Sequence, residues 1–162
     1  MKNIHAARLC LILFWSFTLT FAAGETNEHI KIVPFPSLKK VKTDDPLFVY
    51  IQVTNKGQEA LSITGGKKHP SGAITPDAYR INSEIYKGTS GKYITVGGAQ
   101  NAKSNGDGNR LIELKPNDSV VYRIEFIPFK KSLNGDFCHL EIFLKTFGAQ
   151  DLMATLVIVR SE

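Results

Sequence analysis

Apolar residues stand at every second position in the best-patterned segments of this chain, and this alternation limits the fold more than any other feature. Leu47–Thr54 (LFVYIQVT) alternates in this way, and 119–126 and 137–146 show the same period. Successive side chains of a β-strand point to opposite faces, so a period of two is typical of a strand with one buried face. No segment after the N-terminal residues carries an amphipathic helical stripe of useful length. The chain is therefore predicted to be all-β.

Weaker patterns predict the remaining strands and their connections. The strands are expected at 29–33, 59–64, 78–87, 92–96, 110–114 and 152–160. The first is predicted to end at Pro34–Pro36 (PFP), because proline cannot donate to a ladder. Leu152–Arg160 is apolar on both faces and is predicted to be covered on both sides. Two segments without a useful apolar period, Gly65–Asp77 and Gly97–Asn109, are predicted to be long loops.

The spacing of the turn signals predicts the architecture. Asn55–Gly57 and Lys115–Asp118 are two of the turn signatures that separate about eight strands at intervals of about ten residues. Such spacing favours an antiparallel two-sheet sandwich over a barrel. The order of the strands within each sheet stays open, because alternation does not specify it.

Two stretches resemble exported immunoglobulin-like domains. In Phe48–Ile63 (FVYIQVTNKGQEALSI), an alternating strand ends in Asn-x-Gly and a second apolar segment follows. In Leu114–Phe126 (LKPNDSVVYRIEF), a leucine, a turn with proline and a serine precede an alternating strand. The resemblance is one of architecture, shared by adhesin modules, chaperone-like domains and small proteinase-inhibitor domains. It implies an immunoglobulin-like sandwich and no particular activity.

The N-terminal residues have the three-part pattern of a secretory signal peptide. Lys2 and Arg8 form a short basic region, the uncharged run Leu9–Ala23 follows, and small residues end it. The run is short for a membrane anchor, which needs about twenty apolar residues. We therefore expect residues 1–24 to be removed and residues 25–162 to form one β-sandwich domain. The product is expected to be secreted or periplasmic, with no transmembrane segment.

Charge and cysteine content exclude further classes. Removal of Lys2 and Arg8 lowers the formal net charge of +5 by two, and the remaining lysines are spread among acidic residues. Nucleic-acid binding is not predicted, because it needs a basic patch or a recognised module. Cys138 is the only cysteine after residue 24, so no intramolecular disulfide is expected. Its position in an alternating segment predicts a buried side chain that packs as a small hydrophobe, and the alternative is a reactive thiol or a bridge to another chain.

No enzyme is predicted, because the residues that could carry catalysis are scattered. The histidines after residue 24 are His29, His69 and His139. His139 alternates with the carboxylate of Glu141, and both are expected to be solvated on an outer strand face, whereas His69 precedes Pro70 in a predicted loop. The sequence contains no nucleophile elbow, zinc-binding helix motif or phosphate loop. Neither catalytic residues nor a cofactor are therefore assigned.

One segment has the spacing of a calcium loop. Asn105, Asp107 and Asn109 match its first three side-chain ligands, and glycines stand between them. Pro116 occupies the place where such a loop has its bidentate acid. A plain loop is therefore favoured, and no metal is predicted.

Recognition by loops is the function class that remains. Gly65–Asp77 and Gly97–Asn109 exceed the two to five residues typical of hairpin connections, and long loops on a rigid sandwich often carry recognition. The candidate partner-binding residues are those that make these loops basic: Lys67, Lys68, His69 and Lys103. The alternative is that both loops are solvated spacers, because loop-closure entropy grows slowly with length.

The sequence therefore favours a secreted or periplasmic, non-catalytic binding module. Its partner would be a protein or an envelope component of acidic character, recognised through the loops and an exposed sheet edge. The alternative is an inhibitor or immunity protein of a secreted hydrolase or toxin, with Lys67–His69 inserted into the cleft of its target.

Overall fold

Twelve strands make up the regular secondary structure of the computed structural model, which describes residues 29–104, 110–147 and 150–161. In chain order they are Ile30–Pro36 (β1), Lys40–Val41 (β2), Leu47–Asn55 (β3), Leu61–Thr64 (β4), Gly66–Lys68 (β5), Ile74–Pro76 (β6), Ala78–Thr89 (β7), Lys92–Ser104 (β8), Leu111–Leu114 (β9), Ser119–Phe126 (β10), Phe137–Leu144 (β11) and Leu152–Arg160 (β12). The predicted signal peptide and the calcium-type residues Asn105, Asp107 and Asn109 lie outside the described residues. No helix within the described ranges is long and apolar enough to cross a membrane.

The strands form two five-stranded sheets and one small pair. Sheet 1 has the order β1-β3-β10-β6-β5, sheet 2 has the order β2-β12-β11-β7-β8, and β4 pairs with β9. Most neighbouring strands are antiparallel, whereas β6 on β10 and β2 on β12 are short parallel pairs. The prediction of an all-β two-sheet sandwich is confirmed. The strand count exceeds eight mainly because β2, β5 and β6 have only two or three residues each, too few to show a period.

The core is built from the inner faces that the alternation predicts. Val49, Ile51 and Val53 of β3 are fully buried, and every second residue of β11 from Cys138 to Leu144 is fully buried as well. These residues join one apolar cluster with Tyr122 and the rest of the inner face of β10. The prediction that Cys138 is buried is confirmed, since it is fully buried in this core.

The prediction that Pro34–Pro36 ends the first strand is wrong, because β1 is an edge strand of sheet 1. The Ser37 N–H donates to the Phe48 carbonyl at 2.7 Å, and hydrogen-bonded pairs alternate along an antiparallel ladder. Pro34 and Pro36 therefore occupy non-hydrogen-bonded pairs with β3, and their nitrogens face the free edge. Proline there removes no ladder bond and offers no N–H to a further strand.

Both segments predicted as long loops contain strands. Gly65–Asp77 holds β5 and β6, which pair with each other from Gly66 opposite Pro76 to Lys68 opposite Ile74. Gly97–Asn109 begins as a continuation of β8, which pairs with β7 as far as Ser104. The prediction fails because these strands lie at or near the ends of their sheets. Backbone pairing holds them there, so their side chains need not alternate.

The last strand is correct in position, but the prediction that it is covered on both sides is wrong. Leu152–Arg160 forms β12 but is covered on one face only, since Val157 is 51% exposed and Val159 is 43% exposed. Apolar character alone does not report burial, because folded proteins keep much apolar surface. The strand predicted at 59–64 is β4, which pairs with β9.

Candidate functional site

The four residues predicted to bind a partner lie on different sheets. Lys67 and Lys68 lie on β5, at the end of sheet 1, and both are exposed. Neighbouring residues of a strand point to opposite faces, so these two lysines do not share a surface. His69 follows them in the turn to β6, whereas Lys103 lies on β8, at the end of sheet 2.

His69 fixes the turn that follows β5. Its Nδ1 lies 2.9 Å from Ser71 Oγ and accepts a hydrogen bond from the Ser71 N–H at 3.2 Å. Its backbone N–H donates to the Ala73 carbonyl at 2.8 Å, and its carbonyl accepts from the Gly72 N–H at 2.9 Å. Gly72 has a φ of 84°, which glycine adopts without steric cost. The segment Lys67–His69 is therefore held in one conformation.

Lys103 belongs to the long hairpin of β7 and β8. Ser90 and Gly91 connect the two strands with φ values of 49° and 79°, and two positive φ values give a tight turn that matches the strand twist. A register shift between Ile85 and Tyr86 marks a bulge in this ladder. Within the described structure, β8 has β7 on one side and no strand on the other.

An open cleft of about 480 Å³ lies between this hairpin and the chain that leaves β10. Its walls come from the inner faces of β7 and β8 and from the segment 125–133. The apolar wall residues are Tyr79, Ile81, Ile85, Phe126, Ile127 and Leu133. The volume falls within the range of about 300–1,000 Å³ that is common for ligand sites. We call this space the β8 cleft.

The β8 cleft is open because β8 has small or polar side chains where β7 has larger apolar ones. The register sets Asn101 opposite Ile81 and Gly97 opposite Ile85. Gly97 makes room for Leu133, whose side chain lies 2.7 Å from the place that a Cβ would occupy. Toward the β8 edge, the inner face of sheet 2 therefore carries smaller side chains, which leave a space. Apolar side chains of β7 line this space.

Charged groups surround the apolar walls. Lys103, Lys130 and Glu125 line the cleft, and all three are exposed. Burial raises the pKa of Tyr79, and the charge of Glu125 raises this pKa further. The Tyr79 phenol therefore stays protonated at neutral pH and keeps a hydroxyl donor beside the cleft.

Hydrogen bonds to Ala99 show which backbone groups of β8 face the open edge. The Ala99 N–H donates to Ser83 Oγ at 3.2 Å, and the Ser83 hydroxyl donates to the Ala99 carbonyl at 3.1 Å. Both backbone groups of Ala99 therefore face β7. Because consecutive residues of a strand present their backbone groups to opposite edges, those of Gly98 and Gln100 face the open edge. The Gln100 side chain donates from Nε2 to Asn82 Oδ1 at 3.1 Å.

Sequence reasoning named Lys103 and missed the rest of the cleft. The signal that could have found it is the run Gly97–Ala99 next to the predicted strand at 92–96. Glycine inside a strand often marks a bulge or the close approach of another chain. The far wall, 125–133, is distant in sequence and has no pattern that relates it to β8.

The histidines do not take part in the β8 cleft. His139 lies on the outer face of β11 opposite Glu84, and none of the three described histidines lines the cleft. In the ranges that the structure describes, no three His, Cys, Asp or Glu side chains are grouped so as to hold a metal ion. The cleft offers apolar contact, hydrogen bonds and rim charges, which are the means of binding.

Comparison with known proteins relates this chain to others by fold only. No protein-family model matches it, and no curated protein is significantly similar to it in sequence. AvmM, which catalyses macrocyclization in alchivemycin A biosynthesis, superposes with a TM-score of 0.51 at 12% identity, over 84% of this chain and 90% of AvmM. Spo0M, the sporulation control protein from Bacillus subtilis, gives 0.48 at 10% identity over 83% of this chain. The β-glucosidase EmGH1 from Erythrobacter marinus gives 0.43 at 12% identity over 82% of this chain.

The matches cover unequal shares of these proteins. This chain spans 50% of Spo0M and 15% of EmGH1. At such identities the likeness concerns the β-sandwich fold, and no activity follows from it.

Proposed function

We propose that this chain is an exported, immunoglobulin-like binding module without catalytic activity, and that it binds a protein partner in the β8 cleft. Export to the periplasm or the extracellular space rests on the signal-peptide pattern of residues 1–24. The immunoglobulin-like assignment rests on the two-sheet sandwich together with the motifs at 48–63 and 114–126.

The observation that carries the proposal is the free edge of β8. Of the four outer strands of the two large sheets, β2 has two residues and β5 has three, while β1 has prolines at its free edge. β8 has thirteen residues, and its edge is unpaired within the described ranges. Soluble proteins usually shorten, cover or block such edges, and they rarely keep large apolar surfaces exposed. A partner bound in the β8 cleft would cover both the edge and the apolar walls.

The charges around the cleft support an acidic partner. Lys103 and Lys130 line it, and Lys92 begins the same strand. Glu125 is the only acidic residue among the lining residues. An acidic protein would therefore meet complementary charge at the rim, which favours encounter and specificity.

One observation favours the second candidate function, an inhibitor of a secreted hydrolase or toxin. The segment Lys67–His69 is exposed in part, and the hydrogen bonds of His69 hold it in one conformation. A preorganised segment loses less conformational entropy when it enters the cleft of a target.

A capture experiment with matched variants tests the proposal. A full-length chain with a C-terminal tag is expressed in its own host, and bound proteins from the secreted and envelope fractions are quantified by mass spectrometry. Asn101→Trp fills the cleft from the inner face of β8, and Gln100→Trp carries the same side chain on the outer face. We expect the partner to be lost with Asn101→Trp and kept with Gln100→Trp.

The other outcomes of the capture experiment also distinguish the candidate functions. Equal recovery with both tryptophan variants would contradict the β8 cleft as the site. Loss with Lys68→Glu alone would support the inhibitor function. N-terminal sequencing of the recovered chain tests export, because an intact N-terminus would contradict removal of residues 1–24.

A further inference from the structure

We propose that the partner enters the β8 cleft as an added β-strand. The partner segment is extended, has apolar side chains at alternate positions and carries acidic residues at its ends. This inference rests on the proposed function, since it takes the cleft to be a protein-binding site. It adds how the partner is held and what sequence it needs.

The backbone of β8 supplies the hydrogen bonds. Gly98 and Gln100 present their N–H and C=O groups to the open edge, because those of Ala99 are bonded to Ser83 of β7. The same alternation recurs along β8, so about half of its thirteen residues present backbone groups to an added strand. A free edge of this kind is a template for strand addition, in which main-chain bonds give affinity.

The side chains of the added strand fill the cleft. Such a strand lies about 4.8 Å beyond β8, and every second side chain points between the two sheets. Over its second half, the inner face of β8 presents only Gly97, Ala99, Asn101 and Lys103. Apolar side chains from the neighbouring strand therefore reach the walls formed by Phe126 and Leu133. The positions between them face solvent and are polar in the partner.

The charges of β8 set the ends of the partner segment. Lys92 and Lys103 stand near the two ends of β8, and Lys92–Ser104 contains no Asp or Glu. Opposite charges on neighbouring strands stabilise a pair, and like charges destabilise it. A second copy of this chain fits poorly for this reason, because antiparallel pairing of two β8 strands about Gly98 brings Lys92 of each copy near Lys103 of the other.

A synthetic peptide tests the mode of binding. The probe is a fluorescein-labelled nine-residue peptide with valine or isoleucine at alternate positions, threonine between them and glutamate at both ends. Its binding to the full chain is measured by fluorescence anisotropy. We expect binding to fall at least tenfold when the same residues are reordered so that the apolar ones are contiguous.

Backbone methylation of the peptide separates strand addition from other apolar binding. Two peptides carry N-methyl groups on alternate residues, one on each of the two sets. In an added strand only one set donates to β8, so one peptide loses at least tenfold in affinity and the other stays within about threefold. Equal behaviour of the two peptides would overturn strand addition.

Variants of Gln100 test the same point from the protein side. Gln100→Pro removes an N–H from the open edge without removing a backbone bond to β7. Gln100→Ala is the matched control, because it loses the same side-chain bond to Asn82 but keeps this N–H. We expect Gln100→Pro to lower affinity at least tenfold and Gln100→Ala to leave it within about threefold. Circular dichroism and thermal unfolding confirm that both variants fold.

A charge exchange tests the sequence of the partner. Lys103→Glu is expected to weaken binding of the glutamate-ended peptide two- to fivefold. It should strengthen binding of a lysine-ended version by a similar factor, as for exposed ion pairs. Unchanged affinity of both peptides would contradict the proposal that the partner segment carries acidic residues at its ends.

The results distinguish this inference from the proposed function. If Asn101→Trp abolishes partner capture while Gln100→Pro and both methylated peptides have no effect, the cleft binds protein without strand addition. If sedimentation shows a dimer that Gln100→Pro dissociates, the occupant is a second copy and the acidic segment is wrong.

Discussion

Asn55 joins three parts of the chain, and its replacement by alanine is the most informative test of the fold. It ends β3 and is 2% exposed. Its Nδ2 donates to the Glu59 carbonyl at 2.7 Å and to the Leu114 carbonyl at 2.9 Å. Its Oδ1 accepts from the Gly57 N–H at 2.9 Å. One side chain therefore ties the end of β3 to the following turn and to the end of β9.

The expected loss for Asn55→Ala follows from the surroundings of each bond. The Leu114 carbonyl is bonded in a buried position, and an unsatisfied buried acceptor costs about 1–3 kcal/mol. The bonds to Gly57 and Glu59 are partly exposed, so water replaces them and each contributes about 0.5–1 kcal/mol. The total of about 3 kcal/mol is a large share of the roughly 5–15 kcal/mol that stabilises a domain.

Equilibrium unfolding in urea measures this loss. Trp15 is the only tryptophan and lies in the predicted signal peptide, so unfolding is followed by far-UV circular dichroism. With a slope of about 1.5 kcal/mol per molar urea, we expect the midpoint to fall by about 2 M. Gln58→Ala is the control, because Gln58 is exposed in the same turn and its loss should cost less than about 0.5 kcal/mol. A midpoint for Asn55→Ala close to that of Gln58→Ala would refute the role given to Asn55.

Three further predictions test the core and the edge. Ile124→Asp is expected to prevent folding, because it buries an unpaired charge at a position that is 1% exposed. Arg123→Asp is expected to cost about 0.5–1 kcal/mol in urea unfolding, since the Arg123 guanidinium stacks 3.8 Å above an aromatic ring of β3. Equal stability of Ile124→Asp and Arg123→Asp would contradict the register of β10. Burial raises the pKa of Cys138 to about 12, so the unfolded chain loses its thiol proton from about pH 9 while the folded chain keeps it. Stability is therefore expected to fall by about 1.4 kcal/mol per pH unit between pH 9 and 12, and a Cys138→Ala variant that shows the same slope from pH 9 to 10 would contradict this. Lys92→Ala combined with Lys103→Ala is expected to increase self-association in sedimentation velocity at low salt, and added salt should move the unchanged protein in the same direction; a double variant that associates no more than the unchanged protein would contradict repulsion at this edge.

The strands that were predicted well from sequence are those whose side chains form the core. β3, β10 and β11 each bury one face and leave the other partly exposed over most of their length, so their sequences alternate. β5 and the second half of β8 were missed because backbone pairing holds them and their side chains are largely exposed, whereas β6 has buried residues but only three positions, too few to show a period. The prolines of β1 misled for a related reason, since proline is excluded from a ladder only where its nitrogen faces the partner strand.

The candidate site was harder to predict than the fold. Lys103 was named because it stood in a supposed basic loop, and it lines the β8 cleft as part of a strand. The cleft itself depends on Ile81 and Leu133, which lie far apart in sequence and meet through the pairing of β7 with β8 and the path of the chain after β10. The sequence around neither residue has a pattern that predicts a cavity. Lys67 and Lys68 were predicted to act together because they are adjacent in the sequence. Adjacent residues of a strand point to opposite faces, so the two lysines do not form one surface.

We propose that the two long edges of the sandwich exclude unwanted partners by different means. Pro34 and Pro36 remove two of the N–H groups that the free edge of β1 would offer, so that edge disfavours an added strand whatever its sequence. β8 keeps its backbone groups and carries Lys92 and Lys103, so its edge opposes strands of like charge, including another copy of itself, and remains open to an acidic one. Specificity of this kind needs both an attractive and a repulsive element. The lysines supply both, since the charge that keeps two β8 edges apart is the charge that an acidic segment would pair with.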